Sequence, residues 1–354
     1  MKGKDDPIFR LPPMEVTELI VSCAETRDWG LELFGIPKVW AREKGDRAVV
    51  AVLDTGAALD HPDLKNQILD AKDFSGSKAG PSDTHGHGTH CCGVVAAEEN
   101  GGGVVGVAPR AKLLVGKVLG DDGTGTVPSI VNGINWAIEK GAHVISMSFG
   151  TPKSNPSIHA AVQRANAKGV LVIAAAGNEG PGPDTVGFPG GFEECLSVAA
   201  VDRSRKIARF SSRGRRVDVS APGVDVLSCY PPRSYARLSG TSMATPFVAG
   251  VVALLVSREK ALGKVTVRSI ADLRGRIKET AVDAGETGFD TAYGYGLIDP
   301  DALVPKSKVA SKKVAKKPAP KKAQGLSVTL NKKDFTESGL KKLAGIRRLT
   351  IELP

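Results

Sequence analysis

Five short runs in the first part of the chain are apolar at almost every position. A run without polar alternation is typical of a strand buried on both faces, as in a parallel sheet that helices cover on both sides. The pattern therefore predicts buried parallel strands at Ala48–Leu53, Lys112–Val118, His143–Met147, Val170–Ala175 and Cys195–Val201.

Helical stretches separate these runs. Ser129–Lys140 and Ser157–Lys168 have apolar residues at helical spacing, and each is followed by a glycine that ends the helix. Thr241–Ser257 begins with small residues, carries Pro246 in its first turns and continues as VAGVVALLV, which predicts a buried central helix with Ser242 at its start. The alternation of strands and helices predicts an α/β fold, a doubly wound sheet with right-handed crossovers.

Shifts in composition divide the chain into four parts. Residues 1–22 form a proline-containing extension, and 23–304 form the globular body. Residues 305–325 form a Lys/Ala/Pro-rich linker, which has too few apolar residues to build a core. The last segment, 326–354, is too small to be stable alone, so we expect it to dock or to pair with another chain.

The net charge of +10 comes from the carboxyl-terminal tail. From Pro305 onward there are 14 of the 48 Lys and Arg residues and 3 of the 38 Asp and Glu residues, which leaves 34 positive and 35 negative residues elsewhere. Such a tail can bind polyanions through counterion release, without sequence preference because it lacks interleaved aromatics. That binding would weaken with salt and disappear without residues 305–354. A solvated linker is the alternative.

The cysteines and the amino terminus indicate a cytoplasmic protein. Five cysteines are an odd number without framework spacing, which favours free thiols in a reducing compartment. The sequence MKGKDDPIFRLPP has no apolar core of a secretory signal, and we expect no membrane span. The sequence leaves the oligomeric state open.

Four strings carry reactive side chains at predicted element ends: AVLDTG with Asp54, GHGTHCCG with His87, SGTSMATP with Ser242 and AAAGNEG with Asn178. A serine hydroxyl becomes a nucleophile when a histidine takes its proton, and an aspartate holds that histidine in the correct tautomer. The Asn178 amide and the Ser242 main-chain N–H can then stabilise the oxyanion. Each residue alone is more often a turn former, a loop residue or a helix cap. Together they predict a serine peptidase that works through an acyl-enzyme.

These strings closely resemble the subtilisin-like serine peptidases, in the chain order Asp, His, Ser. The resemblance extends over about Trp29 to Leu303 and includes DHPDL, GVAP, SMSFG, FSSRG and SAPG. It implies a subtilisin-like three-layer, mostly parallel sheet with helices on both faces. It also implies that Asp54, His87 and Ser242 form the catalytic triad, with Asn178 as oxyanion donor.

The resemblance also implies a substrate cleft for protein and peptide substrates. Two edge segments would take the peptide between them as an added strand: Gly123, Thr124 and Gly125 on one side, and Ser148, Phe149 and Gly150 on the other. The S1 pocket would be walled by Ala175, Ala176, Gly177 and Gly187, and the S4 pocket by Val127, Ile130 and Phe149. Both would be apolar, with no charged lining residue evident, so we expect broad specificity that leans to hydrophobic residues.

Structural calcium is the one cofactor that the resemblance implies. The ligands would be Asp63, the carbonyls of Glu98, Gly102 and Val104 and the side chain of Asn100, with Glu25 as an additional acceptor. A solvated glycine loop is the alternative. A second, weaker site is not expected, because Arg216 replaces an acid near Asp218. A zinc site at His85, His87 and His90 is disfavoured, because no supporting metal motif accompanies them.

The extension resembles the short one of intracellular subtilisins through Arg10–Met14, RLPPM. We expect it to lie over the cleft, with Pro12 and Pro13 distorting the backbone so that Ser242 cannot attack, and its removal near Val16–Cys23 to activate the enzyme. A disordered terminus is the alternative. Two other functions remain open: a non-catalytic, polyanion-tethered binding protein on the same scaffold, which the four filled catalytic positions disfavour, and a processing protease of narrow specificity.

Overall fold

A computed structural model describes residues 7–12, 16–21 and 24–306. The chain separates into two units, Met1–Ser307 and Lys308–Pro354. Apart from its first two residues, the predicted linker 305–325 lies outside the described residues, and so does all of the segment 326–354.

The strands in chain order are β1 Phe9–Arg10, β2 Glu18–Ile20, β3 Val49–Asp54, β4 Ile68–Asp73, β5 Lys112–Lys117, β6 Thr124–Gly125, β7 Val144–Met147, β8 Leu171–Ala175, β9 Cys195–Val201, β10 Val219–Pro222, β11 Val226–Tyr230 and β12 Ser234–Leu238. The helices are α1 Trp29–Leu33, α2 Ile36–Trp40, α3 His87–Ala96, α4 Val127–Glu139, α5 Pro156–Ala167, α6 Thr241–Ala261, α7 Ile270–Thr280 and α8 Pro300–Leu303.

A seven-stranded sheet in the order β10-β9-β8-β7-β3-β5-β4 forms the centre, and every neighbouring pair is parallel. All five predicted strands are present, with boundaries within one residue of the prediction. The edge strand β4 escaped prediction because it is half exposed and carries polar residues, ILDAKD. The short β10 escaped prediction as well.

Two hydrophobic cores cover the two faces of this sheet. Side chains alternate along a strand, so successive residues of β3 enter different cores. Val50 and Val52 pack in the core that contains residues of α3 and α6, whereas Ala51 and Leu53 pack in the core that contains residues of α4 and α5. This arrangement confirms the predicted three-layer α/β fold, with helices on both faces.

The central helix α6 begins at the predicted residue and runs past Ser257 to Ala261. In its last turns the buried Glu259 accepts the main-chain N–H groups of Thr266 and Val267 at 2.8 and 3.2 Å, which fastens the loop that follows the helix. With 21 residues, α6 is long and apolar enough to cross a membrane, contrary to the expectation that no stretch has that length. However, 89% of its apolar window is buried inside the protein, so it is a core helix.

Two segments of the extension form strands that the sequence did not predict. β1 pairs with β6 antiparallel, and β2 adds to the β11–β12 hairpin as the third strand of a small sheet. The extension is therefore anchored at two places on the body.

The parallel sheet brings the predicted reactive groups to one edge. Asp54 is the last residue of β3, Ser148 follows β7, and Asn178 lies three residues after β8. His87 is the first residue of α3 and Ser242 is the second residue of α6. Carboxyl ends of parallel strands and amino ends of helices converge where sites open in α/β proteins.

Candidate active site

His87 and Asp54 are in direct contact and both are buried. The Nδ1 of His87 lies 2.7 Å from Oδ1 of Asp54. An ionised carboxylate can only accept, so the ring nitrogen donates this hydrogen bond. The proton therefore sits on Nδ1, and Nε2 is the acceptor nitrogen. Within the described part of the chain, Nε2 has no hydrogen-bond partner.

The Ser242 hydroxyl donates to the carbonyl oxygen of Ser148 at 2.9 Å instead of to His87. His87 and Ser242 are nevertheless close together, because both contact Cys91. The Cys91 Sγ lies 3.8 Å from His87 Nδ1 and 3.5 Å from the Ser242 carbonyl oxygen. That carbonyl also accepts the Ser148 hydroxyl at 3.0 Å, because Pro246 lacks the N–H that would reach it within the helix.

The extension explains why the Ser148 carbonyl can accept the Ser242 hydroxyl. Arg10 N donates to Gly150 O at 3.2 Å in an antiparallel arrangement. In an antiparallel ladder the next hydrogen-bonded pair lies two residues along each strand, which puts Pro12 opposite Ser148. Proline has no N–H to donate. The Ser148 carbonyl therefore receives no main-chain N–H from the extension.

Asn178 is oriented by two donors of residue Thr241. Its Oδ1 accepts the Thr241 N–H at 3.0 Å and the Thr241 hydroxyl at 2.8 Å, which leaves the amide Nδ2 as the outward donor. A Cβ built on Gly240 would lie 3.3 Å from Asn178 Nδ2 and 3.5 Å from Ser242 N. Two N–H donors thus border one small space beside the serine.

The two predicted edge segments hold the extension between them. Phe9 and Arg10 pair with Gly125 and Thr124, and Leu11 N donates to Gly123 O at 3.1 Å. The opposite side of the segment bonds to Gly150. Phe9 is fully buried, and its ring meets that of Phe149 edge to face at 6.0 Å, in the core that also contains Val127 and Ile130.

A pocket of about 540 Å³ adjoins Ser242 and lies beside the extension. Its lining includes the four residues predicted for S1, namely Ala175, Ala176, Gly177 and Gly187. Glu179 and Asp184 also line it. The pocket as a whole is therefore not free of charged residues, while an apolar S1 subsite stays a prediction. Sequence alone does not show this, because both residues lie in a loop with no regular side-chain periodicity.

Two of the predicted calcium ligands, Asp63 and Asn100, are in contact, and Asp63 is buried. Its carboxylate accepts Asn100 Nδ2 at 3.1 Å and the Val104 N–H at 2.9 Å. Gly102 pairs with Ala24, and the Gly101 N–H donates to Glu25 at 2.7 Å. Turning the Asn100 amide would direct its oxygen at the carboxylate, an arrangement that only a cation between them makes favourable. The oxygen-rich loop Glu98–Val104 fits the chemistry of calcium.

Asp218 and His90, which were considered for two other metal sites, both have protein partners. The Nε of Arg274 donates to Oδ1 of Asp218 at 2.6 Å, so the guanidinium of Arg274 neutralises the Asp218 carboxylate. Arg216 is exposed. His90 Nε2 donates to the main-chain carbonyl oxygens of Val226 and Ala236 at 2.9 and 3.1 Å, and burial lowers the pKa of His90 to about 3.

Sequence reasoning missed Lys117, a fully buried lysine at the end of β5. Its ammonium donates to the carbonyls of Thr55 and Ser82 at 2.8 and 2.9 Å and to Asp121 at 2.8 Å. It thereby holds the loop that follows Asp54. The only signal in the sequence is a lysine inside an otherwise apolar run, KLLVGKVLG.

Cys91, Cys92 and Cys195 are free thiols, and all three are buried. Burial raises the pKa of the Cys91 thiol well above its usual value, so it remains protonated beside His87. Cys23 lies outside the described residues.

Comparison with known proteins agrees with this geometry. The sequence profile of the subtilase family (Peptidase_S8) matches residues 45–296. The major intracellular serine protease of Bacillus subtilis (strain 168) is 43% identical over 309 residues, which cover 84% of this chain and 96% of that protein. An intracellular serine protease of Paenibacillus polymyxa is 47% identical over 233 residues, 64% of this chain and 72% of that protein.

Subtilisin DY of Bacillus licheniformis is 41% identical over 282 residues, which cover 79% of this chain and 99% of that protein. The family profile matches most of this chain, and the alignments with the Bacillus subtilis and Bacillus licheniformis proteases extend over almost all of those two proteins. These matches establish the family of the chain. The chain belongs to the subtilase family and is a serine-type endopeptidase.

Proposed function

We propose that Asp54, His87 and Ser242 form the catalytic triad of this endopeptidase. The hydrogen bond between His87 Nδ1 and Asp54 is the observation that carries the proposal, because it leaves Nε2 as a base with no other partner in the described structure. Once the Ser242 hydroxyl leaves the Ser148 carbonyl, Nε2 takes its proton as the oxygen attacks the peptide carbonyl. The resulting acyl-enzyme is hydrolysed by water, with His87 as acid and base in turn.

The oxyanion of the tetrahedral intermediate would lie in the space beside Gly240. Asn178 Nδ2 and Ser242 N both border that space, and the bonds from Thr241 fix the amide orientation in advance. Donors that are already oriented cost no reorganisation when charge develops. The filled catalytic positions disfavour a purely non-catalytic binding protein.

Labelling by an organophosphate serine reagent tests these roles. In a chain starting at Ala24, we expect stoichiometric labelling that Ser242→Ala abolishes. Asn178→Ala should lower kcat by about 10² to 10³, the range found for loss of one such donor in subtilisins. Ser257→Ala, a buried serine of the same helix, serves as control and should leave labelling intact. Labelling that survives Ser242→Ala contradicts the triad.

We propose broad specificity with an apolar preference at P4 and a mixed preference at P1. The buried Phe9 side chain supports the apolar subsite, since it lies where a substrate strand would place its P4 residue. Main-chain pairing with both edges makes little demand on sequence, which disfavours a narrow processing protease. At P1, small apolar walls accept large apolar residues, while Glu179 and Asp184 favour lysine and arginine.

A peptide library measures this specificity. We expect cleavage after Leu and Phe and also after Lys and Arg. Glu179→Gln and Asp184→Asn should each lower kcat/KM for P1 Lys severalfold, because an exposed ion pair contributes about 0.2–1 kcal/mol, and leave P1 Leu unchanged. Asp122→Asn, an exposed carboxylate outside the pocket, is the control. Equal losses for P1 Lys and P1 Leu argue against charge selection.

We propose that the extension inhibits the enzyme by binding as a substrate-like strand. It pairs with both edges of the cleft and runs towards Ser242. Its register puts Pro12 opposite Ser148, so the bond that follows is the tertiary amide of Pro12 and Pro13. Without an N–H at this position, the chain is held at Arg10 and Leu11 but not at the residue next to the serine. The Ser242 hydroxyl meanwhile bonds to Ser148 instead of His87.

Removing the extension tests the inhibition. A chain starting at Ala24 should have higher activity than the full chain. Phe9→Ala should raise the activity of the full chain as well, because it empties the apolar subsite that holds the strand. Ile8→Ala is the matched control, since Ile8 is 54% exposed and should change little. The inhibitory role is excluded when the shortened chain is no more active than the full one.

We propose that calcium binds at Asp63 and the loop Glu98–Val104. The ion would be held by the Asp63 carboxylate, the Asn100 side-chain oxygen and the carbonyls of Glu98, Gly102 and Val104. When bound, it would neutralise the buried carboxylate and fasten the loop after α3. Because α3 begins at His87 and ends at Ala96, the ion would stabilise the fold at the end of α3 opposite His87.

Chelation measures this contribution. We expect a chelator to lower the Tm, and Asp63→Asn to lower it as well and to remove the response to added calcium, because binding to the folded state alone stabilises it. Asp60→Asn is the control, as Asp60 is exposed and pairs with Arg233. A wild-type Tm that does not change between chelator and millimolar calcium excludes the site.

We propose a cytoplasmic location, which the free thiols of Cys91, Cys92 and Cys195 support. Two of the relatives are named intracellular proteases. Polyanion binding by the basic tail stays a prediction, because almost all of the tail lies outside the described residues.

A further inference from the structure

Asp83 is a buried carboxylate, 6% exposed, that none of the roles above uses. It accepts five hydrogen bonds. Oδ1 receives the Thr55 hydroxyl and the N–H groups of His85 and Gly86 at 2.9–3.0 Å, and Oδ2 receives the N–H and the hydroxyl of Thr89 at 2.8 and 2.6 Å. Four of these donors belong to the segment that surrounds His87, and the fifth follows Asp54.

Thr55 connects the same two regions through a directed chain of hydrogen bonds. Its hydroxyl accepts the Gly88 N–H at 2.9 Å and donates its proton to Asp83 at 2.9 Å. Its own N–H donates to the Asp54 carboxylate at 2.8 Å. One residue thus orients the carboxylate that holds His87 and binds the residue after His87.

The glycines around both catalytic groups explain why such a link is needed. Gly56 and Gly86 have φ angles of +99° and +100°, in the region that only glycine adopts easily. They give the turn after β3 and the turn before α3 no stiffness of their own. A Cβ on Gly88 would lie 2.2 Å from the Gly56 carbonyl oxygen, so the two turns are also in direct contact.

We propose that Asp83, acting through Thr55, is a positioning residue that sets the geometry of the Asp54–His87 hydrogen bond. The inference rests on the proposed catalytic roles of Asp54 and His87. An ionised carboxylate satisfies five converging donors because it can only accept, whereas an asparagine would turn an NH₂ group towards at least one of them. Loss of the link would let the strand end and the helix start shift independently.

Thr55→Val, Thr55→Ser and Asp83→Asn test this role in the full chain, with Phe9→Ala present throughout to weaken the inhibitory strand. Ser257→Ala is a matched control. Ser257 is also a buried hydroxyl that accepts a main-chain N–H, from Arg47 at 2.9 Å, and donates to a buried carboxylate, Glu43, at 2.7 Å, but it lies in the far half of α6.

We expect Thr55→Val to lower kcat for a small ester substrate by about 10- to 100-fold with little change in KM, because small misplacements of catalytic groups carry such costs. Thr55→Ser should restore most of kcat, and Asp83→Asn should resemble Thr55→Val. Ser257→Ala should lower the Tm without changing kcat. The proton NMR resonance of His87 Nδ1–H lies far downfield because of its short hydrogen bond to a carboxylate. This resonance should move or broaden in Thr55→Val and stay unchanged in Ser257→Ala.

An unchanged Nδ1 resonance in Thr55→Val, or equal losses of kcat in Thr55→Val and Ser257→Ala, overturns the proposal. The resonance reports the bond directly and does not depend on turnover. If Ser242→Ala retained activity, the proposed triad would fail while the NMR result would still decide whether Asp83 positions His87. Thr55→Val keeps the test valid even when Asp83→Asn does not fold.

Discussion

The hydrogen bond between Asp54 and His87 joins a strand end to a helix start, and the architecture around it serves to keep those two elements in place. This contact fixes the proton on Nδ1 and leaves Nε2 as the acceptor. Since both residues are buried, a displaced partner could not be replaced by water without cost. Lys117 holds the main chain after Asp54 from one side, and Asp83 holds the turn before His87 from the other.

The hydrogen bonds available to the Ser148 carbonyl also explain the orientation of the Ser242 hydroxyl. A peptide that places an N–H opposite Ser148 would occupy its carbonyl, whereas the extension places a proline there. The Ser242 hydroxyl takes the vacant acceptor and is thereby turned from His87. Under the proposed inhibition, this single missing N–H would both prevent productive binding of the extension and keep the Ser242 hydroxyl away from His87.

Much of the fold was predictable, because strands buried on both faces, such as β3 and β9, are apolar at almost every position. The edge strand β4 was not, since its exposed residues interrupt that pattern. β1 and β2 form only against distant parts of the body, β6 and β12, so no local signal marks them. The strings that carry Asp54, His87, Asn178 and Ser242 stand out in the sequence because glycines and element ends surround these residues.

Other features of the site depend on contacts that sequence does not encode locally. The orientation of Ser242 depends on the register of the extension, and the charged lining of the pocket depends on the path of a loop. Asp83 is indistinguishable in sequence from an ordinary turn aspartate, although it accepts donors from both catalytic regions. Such roles become visible only when every buried donor and acceptor has been assigned.

The most direct measurement of the central claim is a pre-steady-state experiment with an activated ester on the chain that lacks its extension. Nucleophilic catalysis by Ser242 predicts a burst of about one equivalent of leaving group per chain when deacylation is slower than acylation. The burst should be lost in Ser242→Ala, and it should be strongly slowed in His87→Ala. A burst of the same size and rate in Ser242→Ala would contradict the account.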